Sequence, residues 1–340
     1  MLFNKATNGK EEMKAILGFI YATNSFTNLI TDITLAEDEI TRLIGKEMFD
    51  YLNTWYNSDD YQAEPVEGED PDPDWAIYDE LVHRCQAAIA FLAYHGYATH
   101  GDVTHSSTGR QIAVTDTQKP AFEWMIERDN QSMLAKAHKL LDRLLEYLEE
   151  NKTVTEIAAN WATLPVYTLT KGLFINSALE FDRVFPIEES RRFFVKVVPF
   201  IKEIERNKIL PVLGPVDYET IKGLILTDDI SEEAQAIIDL AQVPIALLTM
   251  VTAIRRMSVE VLPNGIFQNY VPGTQTIKAK NIPSMDMKAS ITKVLEDEAA
   301  KAMIALQEHQ AIRLAVFDGT EYAPQNLTDH NDILNKHFRV

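Results

Sequence analysis

Four histidines within residues 83–105, His83, His95, His100 and His105, are the residues whose types and proximity could do chemistry. Imidazole nitrogens are common ligands of zinc and other transition metals. Metal ligands on one helix lie three or four positions apart, whereas the last three histidines lie five apart and are separated by glycines. No cysteine or ordered carboxylate completes a recognisable ligand set. We therefore predict a polar loop that holds histidines, with no metal and no cofactor, and keep an enzyme that uses this loop as an alternative.

Acidic side chains are abundant, but their pattern does not indicate a catalytic pair. Glu37, Asp38 and Glu39 are consecutive, so on a helix they point in different directions and predict a solvated face. The sequence has no phosphate-binding loop, no GxGxxG fingerprint and no GxSxG elbow. We predict that the protein has no catalytic residues and is not an enzyme.

The formal net charge of −19 argues against a broad surface that grips nucleic acid, because the phosphates would be repelled. It leaves room for a small basic patch, or for DNA that passes an acidic channel without adhering. Two arginine doublets, Arg191 with Arg192 and Arg255 with Arg256, interrupt this acidity. They could contact an anionic partner surface or form salt bridges within the protein, and both interpretations stay open.

The single cysteine, Cys85, cannot form an internal disulfide and predicts a small buried thiol in a reducing compartment. The N-terminal residues have no apolar stretch of signal-peptide length. The longest apolar runs, residues 87–94 and 243–254, are shorter than the roughly 20 residues that span a bilayer. We expect a protein that is made in the cytoplasm and has no membrane partner.

Apolar residues at helical spacing predict helices along most of the chain. The predicted helices are residues 11–21, a long helix from 26 or 34 to 44, and residues 48–56, 75–97, 121–150, 188–210, 218–226, 231–259 and 287–311. Residues 57–74 form an acidic, proline-containing loop with almost nothing to bury. Its acidic oxygens suggest calcium, but their spacing does not match an EF-hand, so we interpret the loop as a solvated excursion.

One sequence pattern occurs twice in the chain. At a shift of 169 positions, Ile40 falls on Ile209, Ile44 on Leu213, and Gly45 on Gly214. At a shift of 156 positions the apolar stretch around Ile89 falls on that around Ile245, and the later glycine and valine pairs also match, Gly109 with Gly265 and Val103 with Val259. The difference between the shifts falls where the first copy carries its acidic loop, which is where duplicates are expected to diverge. Chance similarity of amphipathic helices is the alternative.

The predicted fold is therefore mainly α, with two tandem helical-bundle units of related topology, long inter-helix loops and a short extended or β linker. The first unit covers residues 1–152, including the acidic loop 57–74, and the second covers residues 188–315. Residues 153–187 are rich in β-branched and aromatic residues and predict the extended linker. Residues 316–340 form a polar C-terminal tail.

In both units a long loop precedes the last helix, and it holds glycine and β-branched residues without a catalytic set. Such loops suit strand addition or loop exchange with a neighbouring subunit. Gly45, Gly214, Gly109 and Gly265 are predicted structural turns that are equivalent between the repeats. The candidate interface residues are Val103, Arg110 and Ile112 in the first loop, with Val259, Ile266, Phe267 and Tyr270 in the second.

This layout resembles the small head–tail connector (adaptor) proteins of tailed bacteriophages, in a tandem-duplicated form like that of certain phage and prophage proteins. The stretches RLIGKEMFDYL and PVLGPVDYETI carry the turn, and AAIAFLAYHGYATHGDV and VPIALLTMVTAIRRMSV carry the third helix and loop. The resemblance covers residues 25–150 and 188–311. Typical adaptors have one unit, and residues 153–187 have no counterpart in them.

The resemblance implies a structural virion protein that forms a ring, of about twelve copies in that family, in the neck between portal and tail. It implies the portal and the tail or neck proteins as partners, and DNA only as passing, non-specific cargo. A cytoplasmic helical adaptor that binds another protein without catalysis is the alternative function.

Overall fold

Helices make up most of the regular structure in this computed structural model, which describes residues 1–18, 25–62, 73–101, 104–106, 109–111, 121–168, 170–227, 229–257, 268–270, 279–281 and 285–318. The chain divides into two units. Unit 1 comprises Met1–Leu169, Ser190–Val195 and Asn269–Lys280. Unit 2 comprises Thr170–Glu189, Lys196–Gln268 and Asn281–Val340.

Unit 1 is built around three long helices and a hairpin. Its elements are α1 (Gly9–Leu17), α2 (Phe26–Ile44), α3 (Lys46–Asn57), α4 (Pro73–Gly101), β1 (Thr104–Ser106), β2 (Gly109–Gln111), α5 (Glu123–Glu150), α6 (Thr155–Asn160) and α7 (Pro165–Thr168). Helix α4 packs against both α2 and α5. The strands β1 and β2 pair in an antiparallel register, with His105 opposite Arg110.

The elements that follow repeat this order. They are α8 (Ala178–Val184), α9 (Arg191–Ile204), a π-helical segment (Glu205–Ile209), α10 (Leu210–Leu213), α11 (Pro215–Thr227), α12 (Glu232–Arg256), β3 (Gln268–Tyr270), β4 (Ala279–Asn281) and α13 (Met285–Asp318). Ser231 caps α12 as its sequence position predicts, because its hydroxyl oxygen accepts the backbone N–H of Ala234 at 3.2 Å. Helix α12 packs along α13.

The two glycine turns lie in the same setting. Gly45 (φ 87°, ψ 153°) ends α2 and precedes α3, and Gly214 (φ 77°, ψ 159°) ends α10 and precedes α11. Each glycine carbonyl accepts one backbone N–H four residues later, from Phe49 or from Tyr218, at 3.1 Å in both cases. Both positions have the positive φ that favours glycine. The order helix–glycine–helix–helix–hairpin–helix thus occurs twice, and the predicted mainly α fold of two tandem units is confirmed.

The core of unit 1 is formed by the apolar faces of α2 and α5 and by α4, which is buried on several sides. Its fully buried residues include Ile33, Ile40, Leu81, Ile89 and Leu144. Cys85 lies among them with no exposed surface, so burial raises the pKa of its thiol and the predicted buried cysteine is confirmed.

The predicted extended linker is wrong. Within residues 153–187, α6, α7 and α8 are helical, and none of the described residues there forms a strand. Trp161, Ile157 and Phe181 are buried, so tertiary packing of the aromatic and β-branched residues overrides their low helix propensity. The division between units falls at Leu169 and Thr170, so residues 170–187 open unit 2.

Two predicted helix ends also differ from the structure. The helix that contains Pro211 continues to Leu213, because Pro211 lies at the start of α10, where a missing N–H is tolerated. Helix α13 continues to Asp318, three residues into the predicted tail. The rest of that tail, and residues 63–72 of the acidic loop, lie outside the described residues.

Candidate functional site

Each unit begins with a short segment whose backbone is buried. Leu2 and Phe3 in unit 1 are 0% and 3% exposed, and Phe174 and Ile175 in unit 2 are 1% and 0% exposed. Buried backbone N–H and C=O groups must find hydrogen-bond partners, because water cannot reach them. The partners therefore show which side chains hold these segments in place.

A buried glutamate accepts the backbone N–H of each segment. The Leu2 N–H donates to Glu37 Oε1 at 2.7 Å, and the Phe174 N–H donates to Glu205 Oε1 at 2.7 Å. Glu37 is 8% exposed and Glu205 is 0% exposed. Glu37 lies on α2, and Glu205 is the first residue of the π segment that continues α9.

A glutamine donates to the carbonyl of the same residue in each segment. Gln86 Nε2 donates to the Leu2 carbonyl at 2.7 Å, and Gln242 Nε2 donates to the Phe174 carbonyl at 2.8 Å. The two glutamines lie on α4 and α12 and are 156 positions apart, which is the second shift of the repeat. We call each set of one glutamate and one glutamine a backbone clamp: Glu37 with Gln86 in unit 1, and Glu205 with Gln242 in unit 2.

The π segment explains why the glutamates do not follow the first shift. Glu37 and Glu205 are 168 positions apart, whereas Ile40 and Ile209 are 169 apart. The segment Glu205–Ile209 is one turn of π-helix and accommodates one extra residue. Upstream of it the shift of 168 also aligns buried apolar residues. These pairs are Leu29 with Val197 and Ile33 with Ile201, all fully buried.

The two clamps differ in electrostatics. Glu205 Oε2 lies 3.3 Å from Lys222 Nζ and accepts the Tyr218 hydroxyl at 3.2 Å. Burial raises the pKa of Glu205, and the ammonium of Lys222 opposes that rise. In unit 1 the positions equivalent to Tyr218 and Lys222 hold Phe49 and Asn53. Neither side chain carries a charge that could act on Glu37.

In unit 1, burial likewise raises the pKa of Glu37, and the hydrogen bond from the Leu2 amide opposes it. The prediction that the Glu37 side chain lies on a solvated face is therefore wrong. Binding the Leu2 backbone accounts for its burial, since a carboxylate is rarely taken out of water without a partner. The clamps are suited to holding backbone, and their chemistry is structural.

The histidines do not occupy one loop. His83, His95 and His100 lie on α4, which runs to Gly101, and His105 lies on β1. The helix continues through Gly96, where an added Cβ would lie 2.8 Å from Asp32 Oδ1, so glycine at this position accommodates the close approach of that carboxylate. Within the described ranges, no group of three or more His, Cys, Asp or Glu could hold a metal ion.

The arginine doublets form ion pairs. Arg191 lies 2.8 Å from Glu149, Arg255 lies 2.9 Å from Glu296, and Arg256 pairs with Glu203 at 2.5 Å. The backbone N–H of Arg192 donates to Asp142 at 2.9 Å. The salt-bridge interpretation of the doublets is supported, and the Arg191 pair belongs to unit 1.

Both predicted interface loops contain a short paired hairpin. Gly109 and Arg110 lie on β2, and Tyr270 lies on β3. The remaining candidates lie outside the described residues: Val103, Ile112, Val259, Gly265, Ile266 and Phe267. Their role in subunit contacts stays a prediction.

The role of the clamp residues was not predicted from the sequence, although one feature of the sequence indicates them. Gln86 and Gln242 are identical polar residues within apolar helices, and they coincide at the shift of 156. The glutamates coincide only at 168, and the extra residue of the π segment conceals that match.

Helix α12 is long and apolar enough to cross a membrane by length and composition. It also holds the core of unit 2: 67% of its apolar window is buried inside the fold, and the core helix of a soluble protein passes the same test. The clamp glutamine Gln242 lies on this helix and holds the Phe174 carbonyl.

Two regions of the chain, residues 35–156 and 209–309, match a family of unknown function, DUF6712. The first region begins within α2 and ends in α6, and the second begins at the end of the π segment and ends in α13. No curated protein matches the chain. No solved structure matches it either. The two matched regions contain the same series of elements and together cover more than half of the sequence, and the chain therefore belongs to the DUF6712 family, which it carries twice in tandem.

Proposed function

We propose that the protein is a structural virion protein, a head–tail connector of a tailed bacteriophage that forms a ring between portal and tail. The observation that carries the proposal is the repeated order of helix, glycine turn, short helix, apolar helix, hairpin and long helix. This is the layout in which the sequence resembles phage adaptors, and it occurs in both units.

The buried polar side chains hold the backbone in place, which favours a structural role for the protein. Glu37, Gln86, Glu205 and Gln242 each form a hydrogen bond with a backbone group of the same unit, and Glu205 also accepts the Tyr218 hydroxyl. Buried polar groups that are satisfied by backbone rigidify a fold and specify one arrangement. A protein built in this way suits an assembly whose copies must match in shape.

The charge of the chain supports DNA as a passing cargo. A net charge of −19 repels phosphates, so DNA would slide past such a surface without binding to it. The proposed partners are further copies of the chain in a ring of about twelve, as the family resemblance implies, the portal protein, and tail or neck proteins. The proposed location is the neck of the virion, after synthesis in the cytoplasm of the host bacterium, and no cofactor takes part.

The experiment is electron microscopy of the purified chain, alone and mixed with the portal protein encoded nearest to its gene. We expect rings of the chain, either free or stacked on the portal ring. A chain that stays monomeric beside its portal at all concentrations and salt conditions tested contradicts the proposal. Recovery of host regulatory proteins without virion proteins, from infected cells that carry the tagged chain, would favour the cytoplasmic adaptor instead.

A further inference from the structure

The arm, which we define as residues 1–3, fills the backbone clamp of unit 1. Both backbone groups of Leu2 are bonded to the clamp, at 2.7 Å in each case, and the side chains of Leu2 and Phe3 are buried. Phe174 and Ile175 fill the clamp of unit 2 in the same way, with both side chains buried. The clamp is therefore a binding site for a short apolar segment, and each unit contains its own occupant.

The two units differ in the length of chain between this segment and the next helix. The backbone N–H that follows the segment donates to a glutamate, from Asn4 to Glu12 Oε2 at 2.7 Å and from Asn176 to Glu180 Oε2 at 2.8 Å. These two glutamates are 168 positions apart, as the clamp glutamates are, whereas the two asparagines are 172 positions apart. Unit 1 therefore has four additional residues between the arm and α1. We call residues 4–8 the hinge.

The hinge is strained, whereas the equivalent chain in unit 2 leads directly into a capped helix. Asn4, Ala6 and Thr7 have φ values of 73°, 52° and 64°, in the left-handed region that favours glycine. In unit 2, Ser177 is extended (φ −139°) and its hydroxyl accepts the Glu180 N–H at the start of α8. Residues other than glycine keep a left-handed conformation only where their surroundings hold them, and they are frequent in segments that switch.

A few hydrogen bonds hold the hinge in this conformation. The Tyr56 hydroxyl accepts the Lys5 N–H at 2.7 Å, and Asn4 Oδ1 accepts the Gly9 N–H at 3.1 Å. Lys5 is half-buried and Asn4 is exposed, so water can replace these partners when the hinge extends. Tyr56 then keeps the bond that its hydroxyl donates to Glu12 at 2.6 Å. The closed hinge thus depends on a balance between strain and replaceable hydrogen bonds.

We propose that the arm exchanges between copies: the hinge extends, and the arm of one copy fills the clamp of a second copy. The contacts of the clamp are kept, because the second copy offers the same glutamate, the same glutamine and the same apolar site. The strain at Ala6 and Thr7 is released, and a short strained hinge favours exchange of this kind. Exchange of an identical element is a low-cost route from monomers to oligomers.

The hinge determines the reach of the arm and the symmetry of the exchange. Five extended residues span about 17 Å, which exceeds the roughly 10 Å diameter of one helix. The arm and the clamp are different surfaces of the chain, so the exchange runs head to tail and can close into a ring. The inference goes beyond the proposed function, because it states how copies join and needs neither a portal nor a virion.

A matched pair of substitutions at the exposed residue Ala6 tests the hinge. Ala6→Pro fixes φ near −65°, which excludes the closed hinge and leaves the clamp residues unchanged. Ala6→Gly adopts the positive φ without strain and favours the closed hinge. We expect the association constant, measured by analytical ultracentrifugation, to be higher for Ala6→Pro than for Ala6→Gly, on the order of tenfold or more. In the Ala6→Pro multimers the arm should resist trimming by an aminopeptidase, because a clamp still buries it.

The second test mixes two chains that are each defective. Leu2→Asp disables the arm, because a charge would have to enter an apolar site. Gln86→Met weakens the clamp, because the Leu2 carbonyl loses the amide that donates to it. Exchange predicts a 1:1 complex on mixing, in which the arm of the Gln86→Met chain fills the clamp of the Leu2→Asp chain.

Native mass spectrometry of isotope-labelled chains identifies this complex, and circular dichroism checks that both variants fold. Leu2→Asp alone should form no multimer. The matched control replaces Gln86→Met by Gln131→Met, whose intact clamp retains its own arm, and should give less of the complex.

The outcomes separate this inference from the proposed function. An Ala6→Pro chain that is monomeric, or whose multimers leave the arm open to the aminopeptidase, overturns the exchange, and so does a mixture without the 1:1 complex. Rings on a portal that form equally with Ala6→Pro and Ala6→Gly contradict the exchange and leave the connector proposal standing. Arm-dependent multimers of a chain that never joins a portal support the exchange and contradict the connector proposal.

Discussion

The backbone clamp of unit 1 can be broken at one side chain with little change in volume. Gln86→Met replaces the side-chain amide that donates to the Leu2 carbonyl from 2.7 Å by an apolar side chain of similar length. Leu2 has no exposed surface and Gln86 is 5% exposed, so water cannot take over the hydrogen bond without local opening.

The expected loss of unfolding free energy follows from that geometry. A buried carbonyl without a partner costs about 1–3 kcal/mol. The variant no longer buries a polar amide, which offsets part of this loss. We therefore expect Gln86→Met to destabilise unit 1 by about 1–2 kcal/mol.

Two measurements check the prediction. Urea unfolding monitored by circular dichroism gives the change in stability. Hydrogen exchange followed by mass spectrometry should show that peptides covering residues 1–18 exchange on the order of tenfold faster, since 1.4 kcal/mol corresponds to one factor of ten. The control is Gln131→Met, because that exposed amide donates to Glu127 on the same helix and does not hold a buried backbone group of another segment. Its stability should change by less than about 0.5 kcal/mol.

A specific result would refute the reasoning. If Gln86→Met and Gln131→Met changed stability equally, and residues 1–18 exchanged at the wild-type rate, Gln86 would not hold the segment. The equivalent change in unit 2, Gln242→Met, should have a smaller effect than Gln86→Met, because Gln242 is only half-buried. It should speed exchange around Phe174 and leave residues 1–18 unaffected.

The remaining predictions concern the glycine turns, the π segment and a buried carboxylate. Gly214→Ala should destabilise the protein by about 1–3 kcal/mol because φ at this position is positive. Gly45→Ala should cost about 1 kcal/mol more, since its added Cβ would lie 2.6 Å from the Leu164 side chain. Urea unfolding measures both changes in stability. Deleting Asn207 should cost less than about 1 kcal/mol, because it converts the π segment to the α-helical register of unit 1. Deleting Asp38 from α2 should unfold unit 1, because the helix beyond it rotates by about 100°, and circular dichroism distinguishes the two deletions. Burial raises the pKa of Glu37, so the native state retains a proton that the unfolded state loses. The stability of the wild type should therefore fall, relative to Glu37→Gln, as pH rises from the ordinary glutamate pKa of about 4.3 through the higher folded value.

Each of these predictions has a contrary outcome. Equal losses at Gly45 and Gly214 would show that the leucine beside Gly45 moves away without cost. Loss of helicity on deleting Asn207 would show that the extra residue is required by its surroundings. Parallel pH profiles for the wild type and Glu37→Gln, measured by urea unfolding at each pH, would contradict a raised pKa of Glu37.

Most of the helices and the duplication were predictable from the sequence, because the pattern that reveals them is local. Apolar residues such as Ile40, Ile44 and Leu52 recur at helical spacing, and their counterparts near Gly214 are buried in the same way. A glycine that follows such a pattern favours a helix end because it adopts a positive φ readily, as Gly45 and Gly214 do.

Residues 153–187 show where this reasoning stops. Their composition favours strands, yet α6, α7 and α8 are helices of four to seven residues. Helices this short are not stable alone, so burial of Trp161 and Phe181 determines their conformation. The secondary-structure propensity of a short stretch cannot predict its contacts with a distant part of the chain.

By itself the sequence determined the mainly helical class, the two repeats, the turns at Gly45 and Gly214 and the buried cysteine, since each of these depends on residue type and spacing. The turn predicted at Gly109 is instead part of β2. Only the tertiary structure decided where unit 2 begins and what Glu37, Gln86, Glu205 and Gln242 do. The reason is that each clamp joins three separate stretches of chain, such as those of Leu2, Glu37 and Gln86. A clamp is recognised by the hydrogen-bond distances between these stretches, which are a property of the folded chain. The extra residue of the π segment Glu205–Ile209 shifts the sequence match by one position, while both clamp glutamates lie 2.7 Å from the backbone N–H that they accept.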